Sequence, residues 1–87
     1  MVRSVEMVQK IKQDDIHIGE NIRQIRKQKG YGQTELVRLL QLEGLDITRE
    51  TLVKIERGIQ HIQARQLKAI KEVLETTFDE LFKCSDS

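Results

Sequence analysis

Apolar residues in the middle of the chain recur at the spacing of amphipathic helices. Leu36, Leu39 and Leu40 stand at positions i, i+3 and i+4, and Leu52 and Ile55 repeat the three-residue step. Side chains with this spacing lie on one face of a helix. The pattern therefore predicts two short helices joined by a turn.

Start and stop signals bracket the second of these helices. Thr48 precedes it, and its hydroxyl can accept a hydrogen bond from the first turn. Gly58 follows the last turn, where a left-handed residue is commonly needed. A short capped helix with long polar side chains near its start, braced by another helix, is typical of a helix-turn-helix that enters a DNA major groove. The outward face of this helix carries Arg49, Glu50, Val53, Lys54 and Arg57.

A further helix is predicted ahead of this pair, over residues 16–29. Asp14 and Asp15 precede it, and either carboxylate can cap the first turn and favour the positive end of the helix dipole. Gly30 ends the helix. Its buried stripe is formed by Ile18, Ile22 and Ile25.

Two more helices are predicted after the pair. Residues 64–74 form a helix with four inward apolar side chains, and Thr76 or Thr77 opens a last short helix. We expect the apolar side chains of that short helix to close the core. The residues concerned are Leu67, Ile70, Val73 and Leu74 in the longer helix and Phe78, Leu81 and Phe82 in the shorter one.

Composition narrows the class of protein. The 87 residues make one small domain, and a 38% hydrophobic, 33% charged composition fits a soluble, mostly helical fold rather than a disordered chain. No apolar run reaches membrane-spanning length, and the N-terminus lacks a signal-peptide core. One cysteine, Cys84, suits a reducing compartment. We therefore expect a cytoplasmic protein without a membrane contact.

The sequence offers little chemistry of its own. Cys84 lies in a polar tail with no histidine nearby, so no nucleophile pair is predicted. His17 and His61 have no partners at metal-ligand spacing, and no glycine-rich phosphate loop is present. We predict that the protein is not an enzyme and that it uses neither a metal nor a cofactor.

Five segments, in order, resemble the phage repressor and Cro type (XRE-like) of helix-turn-helix domain. Residues 18–30 are similar to its first helix, and residues 33–36, Gln-Thr-Glu-Leu, to the opening of its second. Residues 48–58, which end in Ile-Glu-Arg-Gly, resemble its recognition helix, and residues 67–74 and 78–82 its fourth and fifth helices. The resemblance covers most of the chain. It implies an all-α, compact five-helix, lambda-repressor-like domain that binds double-stranded DNA.

The turn between the second and third helices departs from the family pattern. Family members place a glycine, a small apolar residue and a serine or threonine directly after the leucine aligned with Leu40, whereas Thr48 comes here only after residues 41–47. Either the second helix runs on and turns through Gly44 with two apolar residues packed inward, or the insert loops out and leaves the usual angle unchanged. In the first case those residues are Leu45 and Ile47, after a helix that ends near Leu42.

Base-reading residues are predicted in the first part of the recognition helix. Arg49 or Lys54 can hydrogen-bond guanine O6 and N7, and Glu50 can accept from cytosine N4. Thr51 or Val53 can meet a thymine methyl group. Glu50 and Lys54 also have the spacing of an ordinary i,i+4 surface pair, which is the alternative interpretation.

Phosphate contacts are predicted around that helix. Gln33 begins the second helix, where its amide and the first backbone N–H groups can bind a phosphate oxygen. The resemblance implies that Arg26 pairs with Glu56, which would pin the first helix to the recognition helix and direct Arg26 toward phosphate; the alternative is a solvated surface charge. In the resembling family the loop after the recognition helix lies along the DNA backbone, which adds Gln60, His61 and Arg65. The predicted phosphate-contacting residues are Gln33, Arg26, Arg57, Gln60, His61 and Arg65.

The N-terminal segment allows more than one interpretation. Val5, Val8 and Ile11 are spaced i, i+3, i+6, which permits a short amphipathic helix, and basic residues outnumber Glu6. The segment is either a frayed terminus, a basic arm on the DNA backbone or a dimerisation helix. The predicted organisation is an arm or short extra helix over residues 1–15, a DNA-binding domain over 16–82 and a polar tail over 83–87.

The resemblance implies a small bacterial or phage transcriptional regulator that binds an operator in double-stranded DNA as a homodimer, and repression by promoter occlusion is the simplest mechanism for it. The alternative is a protein-interaction module on the same fold, such as an antitoxin or an adaptor with a protein partner. The net charge of only +1 and the acidic Glu50 on the reading face favour this alternative. A regulator requires a continuous basic face, whereas an interaction module requires an exposed apolar patch.

Overall fold

The amphipathic segments fold into five α-helices. The computed structural model describes residues 17–83, and residues 1–16 and 84–87 lie outside it. The helices are α1 (Ile18–Gln28), α2 (Gln33–Leu42), α3 (Arg49–Glu56), α4 (Ala64–Leu74) and α5 (Phe78–Leu81), with no strand among residues 17–83. The predicted all-α, five-helix fold is confirmed. None of the helices in this part of the chain has the length and apolar character needed to cross a membrane.

One apolar core lies between the helices, and every helix contributes to it. Leu36 and Leu40 in α2 and Leu52 and Ile55 in α3 are buried, as their spacing predicts, whereas Leu39 is only half-buried. Each fully buried leucine or isoleucine stabilises the fold by about 1.5–3 kcal/mol relative to an exposed one. The buried apolar residues are Ile22, Ile25, Leu36, Val37, Leu40, Leu45, Ile47, Leu52, Ile55, Ile70, Leu74 and Leu81.

The first helix is shorter than the predicted span of residues 16–29. It begins at Ile18, with His17 as N-cap residue and no side-chain cap, and its C-cap residue is Lys29. Gly30 then adopts a positive φ of 86°, which takes the chain out of the helix. The predicted caps Asp14 and Asp15 lie outside the described residues.

The long turn between α2 and α3 is packed rather than looped out. The second helix runs on to Leu42, and Gly44 turns the chain at a φ of 94°, which a glycine adopts without steric cost. Leu45 and Ile47 then point into the core, where Ile47 is only 1% exposed. The side-chain amide of Gln41 donates to the carbonyl oxygen of Ile47 at 2.8 Å and holds the turn against the end of α2. The structure thus follows the first of the two predicted alternatives.

The last helix corrects one prediction about the core. Leu81 is fully buried, but Phe78 and Phe82 remain 42% and 40% exposed. Residues four apart share a helix face, so the two rings lie together, with centroids 6.2 Å apart and planes 19° from parallel. That face points away from the core because Leu81 occupies the inward position of this single turn. Thr77 caps the helix by accepting from the backbone N–H of Glu80 at 3.1 Å.

A side chain near the start of α1 fastens the end of the described chain. The amide of Asn21 donates to the carbonyl oxygens of Leu81 and Lys83, at 2.8 and 2.9 Å. Leu81 is the last residue of α5, where a helix leaves its C=O groups without backbone partners, and Lys83 lies two residues further on. Asn21 therefore holds α5 against the first turn of α1.

Helices α1 and α3 approach each other closely at Gly19. A Cβ atom at this position would overlap the carbonyl oxygen of Ile55 and lie 3.1 Å from the Cα of Glu56. The absence of a side chain at Gly19 therefore lets the start of α1 lie directly against the backbone at the end of α3. This contact fixes where the last turn of α3 sits relative to α1.

We predict that Gly19→Ala destabilises the protein by about 1–3 kcal/mol, because the new methyl group must displace the α3 backbone. Alanine is otherwise favoured over glycine in a helix by about 1 kcal/mol, so the close contact reverses the usual sign. Urea unfolding followed by circular dichroism measures the change.

The matched control is Gly32→Ala, where an added Cβ meets nothing within 4 Å and the backbone is extended. Because alanine is a poorer N-cap residue than glycine, this variant should lower the free energy of unfolding by up to about 1 kcal/mol, less than Gly19→Ala does. Equal stability of the two variants would contradict the assigned contact between Gly19 and Ile55.

Candidate nucleic-acid interface

The start of α3 is built to expose its first turn. Thr48 has an extended backbone, and its hydroxyl accepts from the backbone N–H of Thr51 at 3.2 Å, as the sequence predicts. The cap satisfies one of the four N–H groups that a helix start leaves without a backbone partner. Arg49 and Glu50 follow directly and are exposed. The cap therefore fixes the position from which these two side chains leave the protein surface.

The two faces of α3 differ sharply in exposure. Leu52, Ile55 and Glu56 are buried, with Leu52 at 0%. On the other side Arg49, Glu50 and Lys54 are exposed, and Val53 is half-buried at the edge. The helix thus presents a charged strip to solvent while its inner face is fixed in the core. All four residues that the sequence predicts as base-reading lie on this outer side or its edge.

Glu50 and Lys54 do not form the surface pair that was the alternative interpretation of their spacing. Their charged ends are not within ion-pair distance, so no intrahelical bridge occupies them. Among residues 17–83 the ion pairs are Glu20–Arg23, Arg26–Glu56 and Glu80–Lys83.

A buried ion pair holds α3 from behind. Nε of Arg26 donates to Oε2 of Glu56 at 2.7 Å, and Nη2 donates to Oε1 at 3.0 Å. The two residues are only 6% and 3% exposed. Such a bidentate, charge-assisted geometry fixes the orientation of both partners as well as their distance. The last turn of α3 is therefore tied to the last turn of α1.

Two more groups complete this buried pair. Nη1 of Arg26 donates to the carbonyl oxygen of Tyr31 at 2.9 Å, and the side-chain amide of Gln33 donates to Oε1 of Glu56 at 3.1 Å. No buried side-chain nitrogen or oxygen among the described residues lacks a hydrogen-bond partner. The cluster of Arg26, Tyr31, Gln33 and Glu56, which we call the brace, joins α1, the turn after it, the start of α2 and the end of α3.

The brace changes the roles expected for two residues. Each nitrogen of the Arg26 guanidinium donates within the protein, and the side chain is buried, so its place is behind α3 rather than on the surface. The amide nitrogen of Gln33 is likewise directed at Glu56. With the Gln33 amide engaged, only backbone groups at the start of α2 can still contact a phosphate. The N-cap residue is Gly32, which provides no side-chain cap. The first N–H groups of α2 are thus left to an outside acceptor.

The segment after α3 places the other predicted phosphate contacts at the surface. Gly58 leaves the helix with a φ of 77°, as predicted for a left-handed residue. The backbone N–H groups of Ile59 and Gln60 both donate to the carbonyl oxygen of Lys54, at 2.9 and 3.3 Å, which folds the segment back on the helix. The predicted contacts Arg57, Gln60, His61 and Arg65 are all exposed in or beside it.

The start of α4 holds this segment at its other end. The side chain of Gln66 accepts from the backbone N–H of Gln63 at 2.8 Å within a reciprocal capping box, and Gln66 is buried. The box has the spacing of a Ser/Thr-x-x-Glu capping box but is formed by two glutamines. The sequence therefore indicated this cap only weakly. Arg65 therefore leaves the surface from a fixed first turn.

The structure also uses residues that the sequence patterns did not indicate. Gly19, Asn21 and Gln41 each make a contact between elements that only the folded arrangement brings together. Glycine inside a predicted helix was the one available signal, because it lowers helix propensity without ending the helix.

No group of three or more histidine, cysteine or acidic residues among residues 17–83 is placed to hold a metal ion.

Comparison with known proteins supplies a family. The sequence profile of the helix-turn-helix family matches residues 22–81. An uncharacterized HTH-type transcriptional regulator of Rickettsia prowazekii (strain Madrid E) is 32% identical over 83 residues, which are 95% of this chain and 58% of that protein. The chain thus spans less than two thirds of the length of this relative. No solved structure matches the sequence.

We predict that Arg26→Ala destabilises the protein by about 3–5 kcal/mol, because it leaves the Glu56 carboxylate buried without its partner. The double variant Arg26→Met, Glu56→Leu should recover most of this loss, since no charge then remains in the apolar interior. Urea unfolding of both variants measures the difference.

The control is Arg23→Ala, which removes an exposed pair with Glu20 at 3.8 Å and should change stability by less than about 1 kcal/mol. A double variant as unstable as Arg26→Ala alone would show that the lost stability comes from packing and not from the buried charge.

Proposed function

The chain belongs to the helix-turn-helix family of the phage repressor and Cro type, and from this membership we propose that it is a transcriptional regulator that binds a specific operator in double-stranded DNA. The relative from Rickettsia prowazekii is named as an HTH-type transcriptional regulator, which supports the same class. We further propose that the protein acts as a homodimer and as a repressor.

The observation that carries the proposal is the two-sided character of α3. Its start exposes Arg49, Glu50 and Lys54 from a fixed cap, while Glu56 at its end is locked into the brace. A recognition helix requires both properties, because its side chains must reach base edges from a helix that does not shift on the protein. The two requirements are met here on opposite faces of an eight-residue helix.

The exposed side chains have the chemistry to distinguish base pairs. Arg49 and Lys54 donate and match the paired acceptors O6 and N7 of guanine, and Glu50 accepts and matches the N4 amino group of cytosine. Glu50 is repelled by phosphates, so its presence on this face lowers affinity for DNA in general and favours sites that offer it a donor. Val53 lies half-buried beside them and offers an apolar contact to a thymine methyl group.

Phosphate contacts are proposed on both sides of α3. On one side the uncapped N-terminus of α2 offers backbone N–H groups from Gln33 onward. On the other side Arg57, Gln60, His61 and Arg65 are exposed in and beside the segment that follows α3. Arg26 supports these contacts indirectly by holding α3 in place. This distribution explains how a chain with a net charge of only +1 can bind DNA, because local charge rather than total charge forms the interface.

A dimer would double this interface. Two copies related by a two-fold axis would place two α3 helices about 34 Å apart in successive major grooves, so the operator would be an inverted repeat. Occlusion of a promoter by the bound dimer requires no further domain, and we propose it as the mechanism of repression.

The alternative proposal, a protein-interaction module, rests on a different observation. Leu42 is 77% exposed at the end of α2, and Ile59 is 64% exposed after α3. Large exposed apolar side chains are common at interaction sites when they form a patch. The experiment that follows separates the two proposals.

We predict that the purified protein selects an inverted repeat from random-sequence duplex DNA. Affinity should fall by about three orders of magnitude or more between 50 and 200 mM salt, because six or more phosphates release counterions in a dimer complex. Selection at two salt concentrations followed by sequencing of the bound fraction tests this. Absent or salt-independent binding would overturn the operator model and favour a protein partner.

We predict different defects for Arg49→Ala and Arg65→Ala. Loss of Arg49 should relax the preference at one base pair in each half-site and cost about 1–3 kcal/mol per half-site, on the selected site only. Loss of Arg65 should weaken binding to all sequences alike and reduce the salt slope by about two, which is about one for each subunit of the dimer. Affinity measurements on selected and random duplexes separate the two outcomes.

Lys83→Ala is the matched control, because Lys83 is exposed but lies beyond α5 and pairs with Glu80. Its removal should leave both affinities unchanged. If Arg49→Ala weakens specific and random binding equally, Arg49 contacts phosphate and does not read a base.

A further inference from the structure

The first half of the turn between α2 and α3 is held by the backbone. The N–H of Gly44 donates to the carbonyl oxygen of Gln41 at 3.0 Å, and the N–H of Leu45 donates to that of Leu40 at 3.1 Å. These two bonds form a Schellman motif, in which an apolar pair commonly accompanies the glycine. Leu40 and Leu45 are both buried here. The chain therefore leaves α2 in a defined direction.

The second half of the turn is tied to α2 by a side chain. The N–H of Ile47 donates to the carbonyl oxygen of Leu45 at 3.0 Å, which bends the backbone but does not connect it to a helix. The carbonyl oxygen of Ile47 accepts from Nε2 of Gln41 at 2.8 Å. Since Gln41 lies in the last turn of α2 and Ile47 directly precedes the N-cap residue of α3, this bond links the end of one helix to the start of the next.

This bond supplies a direction that burial does not. The side chain of Ile47 is only 1% exposed, but apolar contacts are non-directional and leave the rotation of the adjoining peptide group open. A hydrogen bond to the carbonyl oxygen restricts that rotation. Because the peptide group is planar, the same restriction extends to the nitrogen and Cα of Thr48. Gln41 thus orients the residue that caps α3 and precedes Arg49.

We propose that Gln41 is a positioning residue for base reading. It sets the direction in which Arg49 and Glu50 leave the protein surface, and it does so through the peptide between Ile47 and Thr48 rather than through a contact of its own with DNA. The proposal rests on the proposed function, in which α3 enters the major groove.

The length of α3 shows why a second attachment matters. The brace holds the helix at Glu56, its last residue, and Gln41 acts on the opposite end. A helix of this length spans about 12 Å, so a tilt of about 5° around the brace displaces the first turn by about 1 Å. A displacement of this size is enough to weaken hydrogen bonds to base edges. Contacts to phosphate from other segments do not depend on it.

Gln41→Met tests the proposal, because methionine has nearly the same shape and helix propensity but no donor. We expect affinity for the selected inverted repeat to fall by about tenfold, since fewer molecules hold α3 in the competent position. Affinity for random duplex DNA should stay within about twofold of the wild-type value, because phosphate contacts are retained.

Gln24→Met is the matched control. The amide of Gln24 is also exposed, but it donates at 3.3 Å to Glu20 within α1 and touches no other element. Its loss should leave both affinities unchanged.

Hydrogen exchange of the free protein gives a second readout that does not require DNA. The N–H of Leu52 donates to the carbonyl oxygen of Thr48 at 3.0 Å, at the start of α3. Gln41→Met should speed exchange of this amide by about fivefold, because the first turn of α3 opens more often. The amide of Leu67, which bonds Gln63 at the start of α4, should exchange at the wild-type rate.

The outcomes separate this inference from the proposed function. If the wild-type protein selects a sequence, then equal affinity of Gln41→Met for it, equal weakening on selected and random DNA, or unchanged exchange at Leu52 would each overturn the positioning role. A wild-type protein that selects no sequence would overturn the proposed function, and with it the role of Gln41 in base reading. Exchange at Leu52 would then still decide whether Gln41 holds the start of α3.

Discussion

The buried ion pair between Arg26 and Glu56 is the interaction on which the arrangement of this domain depends. Removing two charges from water is unfavourable by several kcal/mol per ion, and a short bidentate contact offsets this only when the remaining donors and acceptors are also satisfied. Tyr31 and Gln33 supply those further bonds. The main effect of the pair is to fix the relative position of α1 and α3, and its net contribution to stability is secondary. A guanidinium and a carboxylate held by two parallel bonds tolerate little rotation or sliding, so the helices that carry them keep a defined relation.

The fixed position of α3 relative to α1 matters because few other contacts hold α3 in place. It has eight residues, too few to be stable alone, and its outer face is given over to polar side chains. Three contacts hold it: two buried aliphatic residues in the core, Glu56 in the brace, and the backbone of Ile55 against Gly19. The Thr48 cap completes the helix at the other end. None of the exposed charged side chains holds α3 against the rest of the protein. They are therefore free to contact a ligand.

The long turn shows how the same frame accepts extra residues. Seven residues separate Leu40 from Thr48, and the structure accommodates them by extending α2, turning at Gly44 and burying Leu45 and Ile47. The two buried apolar residues of the insert thereby become part of the core. Because the brace and the Gly19 contact lie at the opposite end of α3, the length of the turn does not disturb them. Exposed Leu42 is the one apolar residue of the insert left outside.

The sequence by itself determined the number, order and approximate bounds of the helices, because periodicity, caps and glycines act over a few residues and can be read locally. It also determined which residues of α3 face outward, since Leu52 and Ile55 define the inner face. Tertiary structure decided what depends on residues distant in the chain. It buried Arg26, directed Gln33 at Glu56, required Gly19 to lack a side chain, and left Phe78 and Phe82 exposed where amphipathic reasoning placed them inside. The reason is physical: a helical face is a local property, but what lies opposite that face depends on helix packing, which local spacing does not encode.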